Sequence, residues 1–498
     1  MTDDGAKRKV DDKNGEKESA LQMMLGYFRD FKVLKETPKQ YWGIQIVNFL
    51  DCTAYFALLT VVSIFLSKEI GMDDKQAGYV ITGFTSATTI LLLIAGLWTD
   101  FLGIRRSLYI ALISRGGLSV AVAMLALGEP FAGRGWVIAG CFVLMAPGMA
   151  MVQTVFQAAN KRFTSERSRS AGFSLWYLFM NIGAAAAGGM VDVVRLKLGL
   201  STTYVIGMGA VTSTLCVLVV IFLIRSEKQF LGPDEVPEPE PETKEAKKRP
   251  WQIFKEMIRE PTLWRFLVLI FLLLGVRAVF TYMYLLMPKY WLRVMGEGAA
   301  IGSLTAINPV LIVIGIVLFL PLANRFHIFK MLVYGSMVSA ISLFVLVIPW
   351  TVFSSDFVTA YYWMSVCCMF VLSIGEVIWS PKLSEYTAAI APKGQEGSYL
   401  GLSMVPWFLA KTVVSLVSGH LLTRWVPKGI GEGLRAGTVA FWDTPEAMWL
   451  VLGLYAAGGC IIARVIQGWL TKGARWKIDE IDAAAKEAPE EQATKEQG

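Results

Sequence analysis

Histidine and cysteine are scarce in this sequence, and this scarcity excludes several classes of protein. The chain of 498 residues has two histidines, His327 and His420, and six cysteines without a Cys-x-x-Cys spacing. We therefore expect no metal site built on these residues. The cysteines fall in apolar segments, where they are typical of small core residues and not of disulfides. No HExxH-type motif and no set of serine, histidine and aspartate is at hand, so we expect neither an enzyme nor a cofactor.

Charge is scarce inside long apolar runs, which indicates an integral membrane protein. Hydrophobic residues make up 54% of the chain, and the mean hydropathy is +0.50. The N-terminal stretch is polar and charged, without the apolar core of a cleaved secretory signal. The net charge of +7 lies mostly in loops and tails. This distribution fits contact with an anionic lipid bilayer and argues against nucleic acid as a partner.

Twelve apolar segments are each long enough to cross a hydrocarbon core about 30 Å thick. The sequence therefore predicts twelve membrane-spanning helices. The first six are Tyr41–Leu66, Ala77–Trp98, Ser107–Leu127, Trp136–Phe156, Ser170–Val194 and Thr203–Ile224. The second six are Leu263–Tyr290, Ile301–Leu322, Phe329–Trp350, Val358–Tyr386, Ser398–Leu422 and Pro445–Leu470.

These segments divide the chain into two halves and three polar parts. The parts are residues 1–40 (a tail and a surface helix), 41–224 (the first half), 225–262 (a linker), 263–470 (the second half) and 471–498 (a tail). A second surface helix is expected at the end of the linker, over Trp251–Glu260. Basic residues concentrate in the loops that twelve spans place on the side of both termini. Because positive loops face the cytoplasm, we expect both termini inside, at the cell (inner) membrane.

The loop between the second and third predicted spans, GLWTDFLGIRR, combines residues with distinct physical uses. Gly96 permits close helix contact, and Asp100 lies where it can cap or pair with a neighbouring helix end. Gly103 permits a tight turn, while Arg105 and Arg106 are placed to bind carboxylates on the cytoplasmic face. This loop resembles the signature of the major facilitator superfamily, G-x-x-x-D-[RK]-x-G-[RK]-[RK], with phenylalanine at its first basic position.

A weaker copy, LANRFHIFK, stands at the matching place in the second half, where Asn324 and Arg325 replace the Asp–Arg pair. The resemblance implies an all-α membrane protein with twelve transmembrane helices in two six-helix bundles. These bundles would be parallel repeats, with substrate bound between them near the midplane. It also implies that the residues named in the first loop are gating residues.

Within that superfamily the chain resembles the proton-dependent oligopeptide transporters. The segments that carry this resemblance are GFSLWYLFMNIG with Asn181, AINPVLIVI with Asn308, GEVIWSP with Glu376, and WFLAKTVVSLVSG with Trp407 and Lys411. In that family the acid of the tenth span receives the substrate's amino group, a role that would fall to Glu376. The asparagines of the fifth and eighth spans bind peptide backbone or terminus, which would fall to Asn181 and Asn308.

The first half departs from the family where it would bind a peptide carboxylate. The family's E-x-x-E-R run is NFLDC here, so Asp51 is the one acid left and the arginine is gone. Gln153 stands for the usual lysine of span four and Arg277 for the usual acid of span seven, whereas Tyr55 is kept. We therefore interpret the chain as a divergent relative rather than as an ordinary importer of di- and tripeptides.

Charged residues in the middle of a span cost at least about 2.5–3.5 kcal/mol on insertion scales, so they face a partner or a wet cavity. Ser380 follows Glu376 by one helical turn, and Trp407 precedes Lys411 by one turn, which gives each helix a polar stripe. One hypothesis is an ion pair that only locks two helices together. The other is that Glu376, Arg277 and Lys411 converge on one net positive cavity that binds substrate.

Asp51 lies about ten residues into the first span, or about 15 Å deep at 1.5 Å per residue. A carboxyl at that depth suits reversible proton uptake. The alternative is a salt bridge with Arg115 or another helix. We therefore expect proton coupling through Asp51, and also through Glu376.

Together these features predict a secondary active transporter, coupled to protons, for a small zwitterionic or anionic solute that includes peptide-like compounds. An exporter of amphiphilic compounds or drugs is the alternative, and a non-transporting membrane sensor is a remote one. The expected partners are a small-molecule substrate, protons and lipid, and we expect a monomer. The predicted substrate-binding residues are Glu376, Lys411, Arg277, Asn181, Asn308, Tyr55, Trp407, Ser380 and Gln153.

Overall fold

The computed structural model of the protein describes residues 31–228, 230–231, 259–323, 327–390 and 396–472. The first half contains α1 (Lys39–Lys68), α2 (Asp74–Leu102), α3 (Ile104–Leu127), α4 (Arg134–Arg162), α5 (Glu166–Asp192) and α6 (Thr202–Leu223). The second half contains α7 (Pro261–Leu272), α8 (Leu274–Leu285), α9 (Met287–Met295), α10 (Ile301–Ala323), α11 (Ile328–Val345), α12 (Phe357–Ile390), α13 (Glu396–Trp425), α14 (Ile430–Ala436), α15 (Pro445–Val465) and α16 (Gln467–Leu470). Short 3-10 helices cover Phe31–Glu36, Trp350–Val352 and Phe441–Asp443.

Each of the twelve predicted spans lies on these helices, and the all-helical fold is confirmed. Eight helices are individually long and apolar enough to cross a membrane, namely α1, α3, α4, α5, α6, α11, α12 and α15. The bent pair of α7 and α8 is a ninth candidate. The remaining predicted spans lie on α2, α10 and α13, which are 29, 23 and 30 residues long. The count of twelve spans and the side of the termini stay predictions.

Local sequence signals determine where several helices begin. The Asp73 carboxylate accepts a hydrogen bond from the Gln76 N–H at 2.8 Å, and the Ser165 hydroxyl accepts one from the Ser168 N–H at 3.3 Å. Both are capping boxes, which satisfy N–H groups that the first helical turn leaves without a partner. Gly103 alone separates α2 from α3, with φ at +79°, a conformation that favours glycine. The tight turn predicted at Gly103 is therefore confirmed.

The seventh predicted span, Leu263–Tyr290, is not one uninterrupted helix. Its first two parts, α7 and α8, are bent by 42° relative to each other at Leu273. A second break at Leu286 separates α8 from α9, whose first turn contains Pro288. Proline fits there because the first helical turn needs no N–H donor. The bend matters for the site because Arg277 lies one turn after it.

The helices form two bundles whose most extensive contacts with each other lie along two helix pairs. In the first half α1 packs against α5 and α6, α2 against α4, and α3 against α4 and α6. In the second half α11 packs against α12 and α15, and α10 packs against α12. The bundles meet where α2 packs against α13 and where α5 packs against α10. Each contact joins the second span of one half to the fifth span of the other, as expected for two related halves.

The described helices end at two opposite faces of the molecule. The motif face is the end that carries Gly103 and Arg105, and the opposite face is the end that carries Asp74 and Asp192. All six cysteines are free and buried or half-buried, as predicted for core residues. Most of the first predicted surface helix, residues 251–258 of the second, and residues 232–258 of the linker lie outside the described residues.

Candidate functional site

Glu376 lies in a polar cluster where both bundles meet. Its side chain on α12 is 7% exposed. The Asn308 side-chain amide on α10 donates to the Glu376 carboxylate at 3.0 Å and to the Ser373 hydroxyl at 3.1 Å. Tyr177 on α5 and Arg277 on α8 also interact electrostatically with Glu376. The structure therefore brings together three of the predicted site residues and adds Tyr177, from the other bundle.

Arg277 is positioned by an aromatic side chain. Its guanidinium carbon lies 4.4 Å from the centre of the Trp379 ring, within the range of a cation–π interaction. The Trp379 indole N–H donates to the Ser339 hydroxyl at 3.1 Å, and its ring packs edge-on against Phe280. Because Trp379 is held on two sides, the guanidinium stays on the same side of α12 as Glu376.

Lys411 crosses from the second bundle to the first. Its ammonium donates to the Tyr55 hydroxyl at 2.6 Å and lies 5.1 Å from the centre of the same ring. It also lies 5.2 Å from the centre of the Phe408 ring on its own helix. Tyr284 connects this contact to the Glu376 cluster, because it interacts electrostatically with both Tyr55 and Glu376. Lys411 and Glu376 therefore belong to one continuous polar and aromatic region.

Asp51 forms a salt bridge with Arg115, which is one of the two predicted alternatives. Both side chains are nearly fully buried, at 4% and 6% exposure. Arg115 also lines a cavity of about 20 Å³ inside the first bundle, together with Ser119, Ser213, Met145 and six other residues. A volume of this size accommodates about one water molecule. The role of Asp51 in proton coupling stays a prediction.

The other predicted substrate residues lie on the same helices. The Asn181 amide donates to the Tyr177 backbone carbonyl at 2.9 Å, and Ser380 interacts with the Tyr177 hydroxyl. Gln153 is half-buried on α4. The side chain of Trp407 lies outside the described part of α13. Tyr177 was not among the site residues predicted from the sequence, although it lies one helical turn before Asn181.

The predicted gating loop has a partner that the sequence did not indicate. Backbone N–H groups of Ile104 and Arg105 donate to the Glu227 carboxylate at 3.1 and 3.0 Å. The Arg105 guanidinium instead lies 5.6 Å from the Tyr109 ring centre, and Arg106 is exposed. Backbone amides and not arginine side chains thus hold this carboxylate.

Two further gating residues give less support to the predicted contacts. A Cβ atom at Gly96 would meet none of the described atoms within 4 Å, so the predicted close helix contact is absent among the described residues. The side chain of Asp100 on α2 lies outside the described residues. Asn324 and Arg325, after α10, lie outside them too.

On the opposite face an acid of the first bundle binds two cations of the second. The Asp74 carboxylate accepts from the Lys289 ammonium and the Arg293 guanidinium, each at 2.8 Å. Lys289 also donates to the Ser67 hydroxyl at 2.6 Å, and Arg293 to the Val426 carbonyl at 2.6 Å. Burial raises the pKa of Asp74, but the two cations outweigh burial and hold that pKa below its ordinary value. We call Asp74, Lys289 and Arg293 the charged latch.

A second contact on this face joins α5 to α10. Asp192 accepts hydrogen bonds from the Gly302 N–H at 2.8 Å and from the Ser303 N–H and hydroxyl at 2.6 Å. An acid of one bundle thus caps the first turn of a helix of the other. A Cβ atom at Gly188 would lie 2.2 Å from the Gly302 carbonyl oxygen, so glycine is required at this crossing. The opposite face is therefore closed in this conformation.

Comparison with known proteins identifies the family. The model of the Major Facilitator Superfamily matches residues 44–415, about three quarters of the chain. The chain belongs to the Major Facilitator Superfamily. This superfamily and its fold are those of transporters and not of enzymes. The chain is accordingly a multi-pass membrane protein.

More specific similarities point to peptide permeases. Dipeptide and tripeptide permease B of Salmonella typhimurium strain LT2 is 23% identical over 210 residues, and that of Edwardsiella piscicida is 22% identical over 210 residues. Each match covers 41% of the present chain and 41% of the relative's length.

Solved structures show the same fold at lower identity. The peptide transporter POT in complex with sulfate is 16% identical with a TM-score of 0.65, over 87% of this chain and 95% of that one. A D-xylose–proton symporter is 15% identical with a TM-score of 0.62, over 85% and 97%. The predicted relationship to proton-dependent oligopeptide transporters is thus confirmed as a distant one.

Proposed function

We propose that this protein is a proton-coupled secondary active transporter that moves a small zwitterionic or anionic solute, peptide-like compounds included, across the cell membrane. The observation that carries the proposal is the cluster of Glu376, Asn308, Arg277 and Tyr177, which lies buried or half-buried where the two bundles meet. Charges at this depth are costly and typically belong to substrate or ion pathways. The similarity to peptide permeases supports a solute of this size and polarity.

Alternating access is supported by the distribution of contacts between the bundles. The described hydrogen bonds that join α2 to α13 connect Tyr79 with His420, Thr85 with Ser415 and Ser86 with Thr412, all in the half of α2 nearer the opposite face. Together with the charged latch, they fit a conformation closed at the opposite face. We propose that the motif face closes in the alternate conformation, with Asp100, Arg105 and Arg106 as gating residues.

Proton coupling is proposed through Asp51 and Glu376, both buried carboxyl groups in the middle of spans. Among the similar structures, the D-xylose–proton symporter is a coupled transporter by name. We further propose that the protein is a monomer in the inner cell membrane with both termini in the cytoplasm.

Reconstitution into liposomes tests the proposal. A panel of radiolabelled peptides, amino acids and organic anions is offered with and without a pH gradient, while an entrapped dye reports lumenal pH. We expect one class of solute to accumulate with the gradient and to carry protons with it. The same panel added to purified protein should raise the unfolding temperature for that class only, because a ligand of the folded state stabilises it. Uptake that ignores the gradient would contradict proton coupling.

Cross-links test alternating access separately. Paired cysteines that join the two bundles at the motif face should block transport, because the conformations could no longer exchange. Normal transport with this face cross-linked would rule out the proposed cycle.

An exporter of amphiphilic compounds is the second candidate, and one observation favours it. The centre of the Phe56 ring lies 5.3 Å from that of Tyr55 and 5.0 Å from that of Tyr284. These rings form an apolar surface beside the charged cluster. Reversing the pH gradient across the same liposomes distinguishes import from export.

A further inference from the structure

The Arg115 side chain has more hydrogen-bond donors than its protein neighbours satisfy. A guanidinium group carries five N–H donors and stays protonated inside a protein. Within the described part of the chain, only the Asp51 carboxylate accepts a hydrogen bond from Arg115. Arg115 is 5% exposed, so the surroundings of the molecule do not supply the other acceptors. Because a buried donor without an acceptor is costly, a further acceptor is expected inside the first bundle.

The cavity of about 20 Å³ beside Arg115 has the size and the polar groups for such an acceptor. One water molecule needs about 10–15 Å³ by this measure and two to four polar partners. Besides Arg115, the polar side chains that line the cavity are Ser119 on α3 and Ser213 on α6. Ser213 is 7% exposed, and neither hydroxyl is hydrogen-bonded to another of the described residues. Three unsatisfied polar groups therefore converge on a space for one water.

Two glycines place the serine hydroxyls at this cavity. A Cβ atom at Gly209 of α6 would lie 2.9 Å from the Ser119 hydroxyl oxygen. A Cβ atom at Gly116 of α3 would lie 3.0 Å from the Ser213 Cβ. Each serine thus packs against a glycine of the facing helix, and the crossing of α3 and α6 is close. The positions of both hydroxyls consequently follow from the packing of the first bundle itself.

The other titratable groups near the pair of Asp51 and Arg115 do not provide the missing acceptor. The thiols of Cys52 on α1 and Cys216 on α6 interact electrostatically with both members of the pair. Each thiol donates elsewhere, one to a side-chain oxygen at 3.4 Å and the other to a backbone carbonyl at 3.8 Å. Sulfur is also a weak acceptor. Lys411 on α13 acts on Cys52 and, as a cation, accepts no hydrogen bond.

We propose that this cavity binds one water molecule, which accepts a hydrogen bond from the Arg115 guanidinium and is held by the hydroxyls of Ser119 and Ser213. The water gives Arg115 a second partner beside Asp51. The guanidinium can then stay in place, with an acceptor, while Asp51 takes up and releases a proton. This role of the water rests on the proposed function, whereas its binding rests on the cavity alone.

A crystal structure of the full-length protein, at a resolution that shows ordered water, tests the site. Bromide replaces chloride in the crystals, and diffraction is recorded at the bromine absorption edge. We expect one water molecule about 2.5–3.2 Å from a guanidinium nitrogen of Arg115 and from at least one of the two serine hydroxyls. No bromine signal should appear in the cavity. A bromide ion at this position, or no electron density in the cavity, would overturn the inference.

A cycle of substitutions tests the role of the water. Asp51→Asn fixes a neutral side chain, and Ser119→Ala with Ser213→Ala removes the two hydroxyls. We expect Asp51→Asn to lower the unfolding temperature by about 2–4 °C more in the double serine variant than in the unmodified protein, because the water is then held less well. Ser114→Ala, at an exposed serine of α3, is the matched control and should leave the effect of Asp51→Asn unchanged.

Additive effects of the aspartate and serine substitutions would overturn this role of the water. If the double serine variant does not fold, Ser213→Ala alone enters the cycle with the same expectation. The proposed function is judged separately. Proton-coupled uptake in the liposome panel by a protein without this water would overturn the inference and leave the function intact. The water at Arg115 in a protein whose uptake ignores the pH gradient would contradict proton coupling and leave the binding site established.

Discussion

Two groups of charges in this protein, one buried and one partly buried, have similar chemistry and different locations. Asp51 and Arg115 are both inside the first bundle, whereas Asp74 of the first bundle binds Lys289 and Arg293 of the second. In a transporter whose bundles move relative to each other, the first pair stays together throughout the cycle. The charged latch must break whenever the opposite face opens. Contacts inside a bundle should therefore determine stability, and contacts between bundles should determine which conformation is populated.

The largest effect is expected inside the first bundle. Asp51→Asn leaves Arg115 buried without a counter-charge, so the free energy of unfolding should fall by about 3–5 kcal/mol. Denaturant titration of the purified protein measures this. The double variant Asp51→Leu with Arg115→Leu removes both charges and should recover most of the loss.

The same variants decide the role of Asp51 in coupling. If Asp51 carries the proton, the stable double variant should lose accumulation driven by a pH gradient and keep ligand binding. Full pH dependence in that variant would show that the pair is structural only.

The next largest effect is expected at the charged latch. Asp74→Asn removes the charge that Lys289 and Arg293 share, and should weaken closure of the opposite face by about 1.5–3 kcal/mol without a comparable loss of stability. Spin labels at Lys75 and Lys428, both exposed on this face in different halves, report closure as a distance. An unchanged distance distribution in the variant would show that the latch does not hold this face.

The pH dependence of the latch has a defined sign. Burial raises the pKa of Asp74 and the two cations lower it further than that, so the net pKa in the closed conformation is depressed. Its contribution to closure is therefore present above the ordinary pKa and is lost as pH falls through the depressed value. We expect the label distance to stay constant from about pH 7 to about pH 5 and to lengthen only in stronger acid. A change within that range would place a proton-linked group on this face.

The sequence predicts the helices and the buried charged residues better than it predicts the partners of those residues, and the reason is physical. Hydropathy predicted twelve segments that all lie on helices, and the cost of charge in a membrane singled out Asp51, Glu376 and Lys411, because both signals are local in the chain. The tight turn was predictable from Gly103 alone, because glycine adopts a positive φ at little cost. Partners are not local: Asp51 had two alternatives until the fold placed Arg115 beside it.

The charged latch shows the limit most clearly. Asp74 and Lys289 are 215 residues apart in the chain, and nothing in the periodicity of either segment indicates the other. The break before α9, the helix that carries Lys289 and Arg293, was also absent from the prediction of one continuous seventh span. Tyr177 was accessible in principle, because its spacing from Asn181 puts both side chains on one face of α5.

A smaller effect is expected where the bundles touch through glycine. Gly188→Ala would place a Cβ atom 2.2 Å from the Gly302 carbonyl oxygen and 2.8 Å from the Ala306 Cβ. Relief requires α5 and α10 to separate, which should cost about 1–3 kcal/mol of closure. At the neighbouring Gly189 no atom of the described residues lies within 4 Å of the Cβ position, so Gly189→Ala is the matched control.

Labels at Leu198 and Gly298, exposed in the adjoining segments of the two halves, measure this separation. We expect a longer distance in Gly188→Ala only. In Gly189→Ala the distance should stay as in the unmodified protein, and stability should rise slightly, as it does when alanine replaces a helical glycine. Equal behaviour of the two variants would mean that the crossing is not tight.

The smallest effect is expected from two aspartates that cap helices in different ways. Asp73 caps α2 within its own bundle, accepting from the Gln76 N–H at 2.8 Å. Asp192 caps α10 of the other bundle, accepting from Gly302 and Ser303. Each substitution to alanine should cost about 0.5–2 kcal/mol, the usual range for a lost cap.

Asp73→Ala should lower the unfolding temperature and leave the distance between labels at Leu198 and Gly298 unchanged. Asp192→Ala should lengthen that distance, because the α10 amides can turn to water once the face opens. If both variants change stability alone, contacts between the bundles do not control access, and the distinction between the two kinds of contact fails.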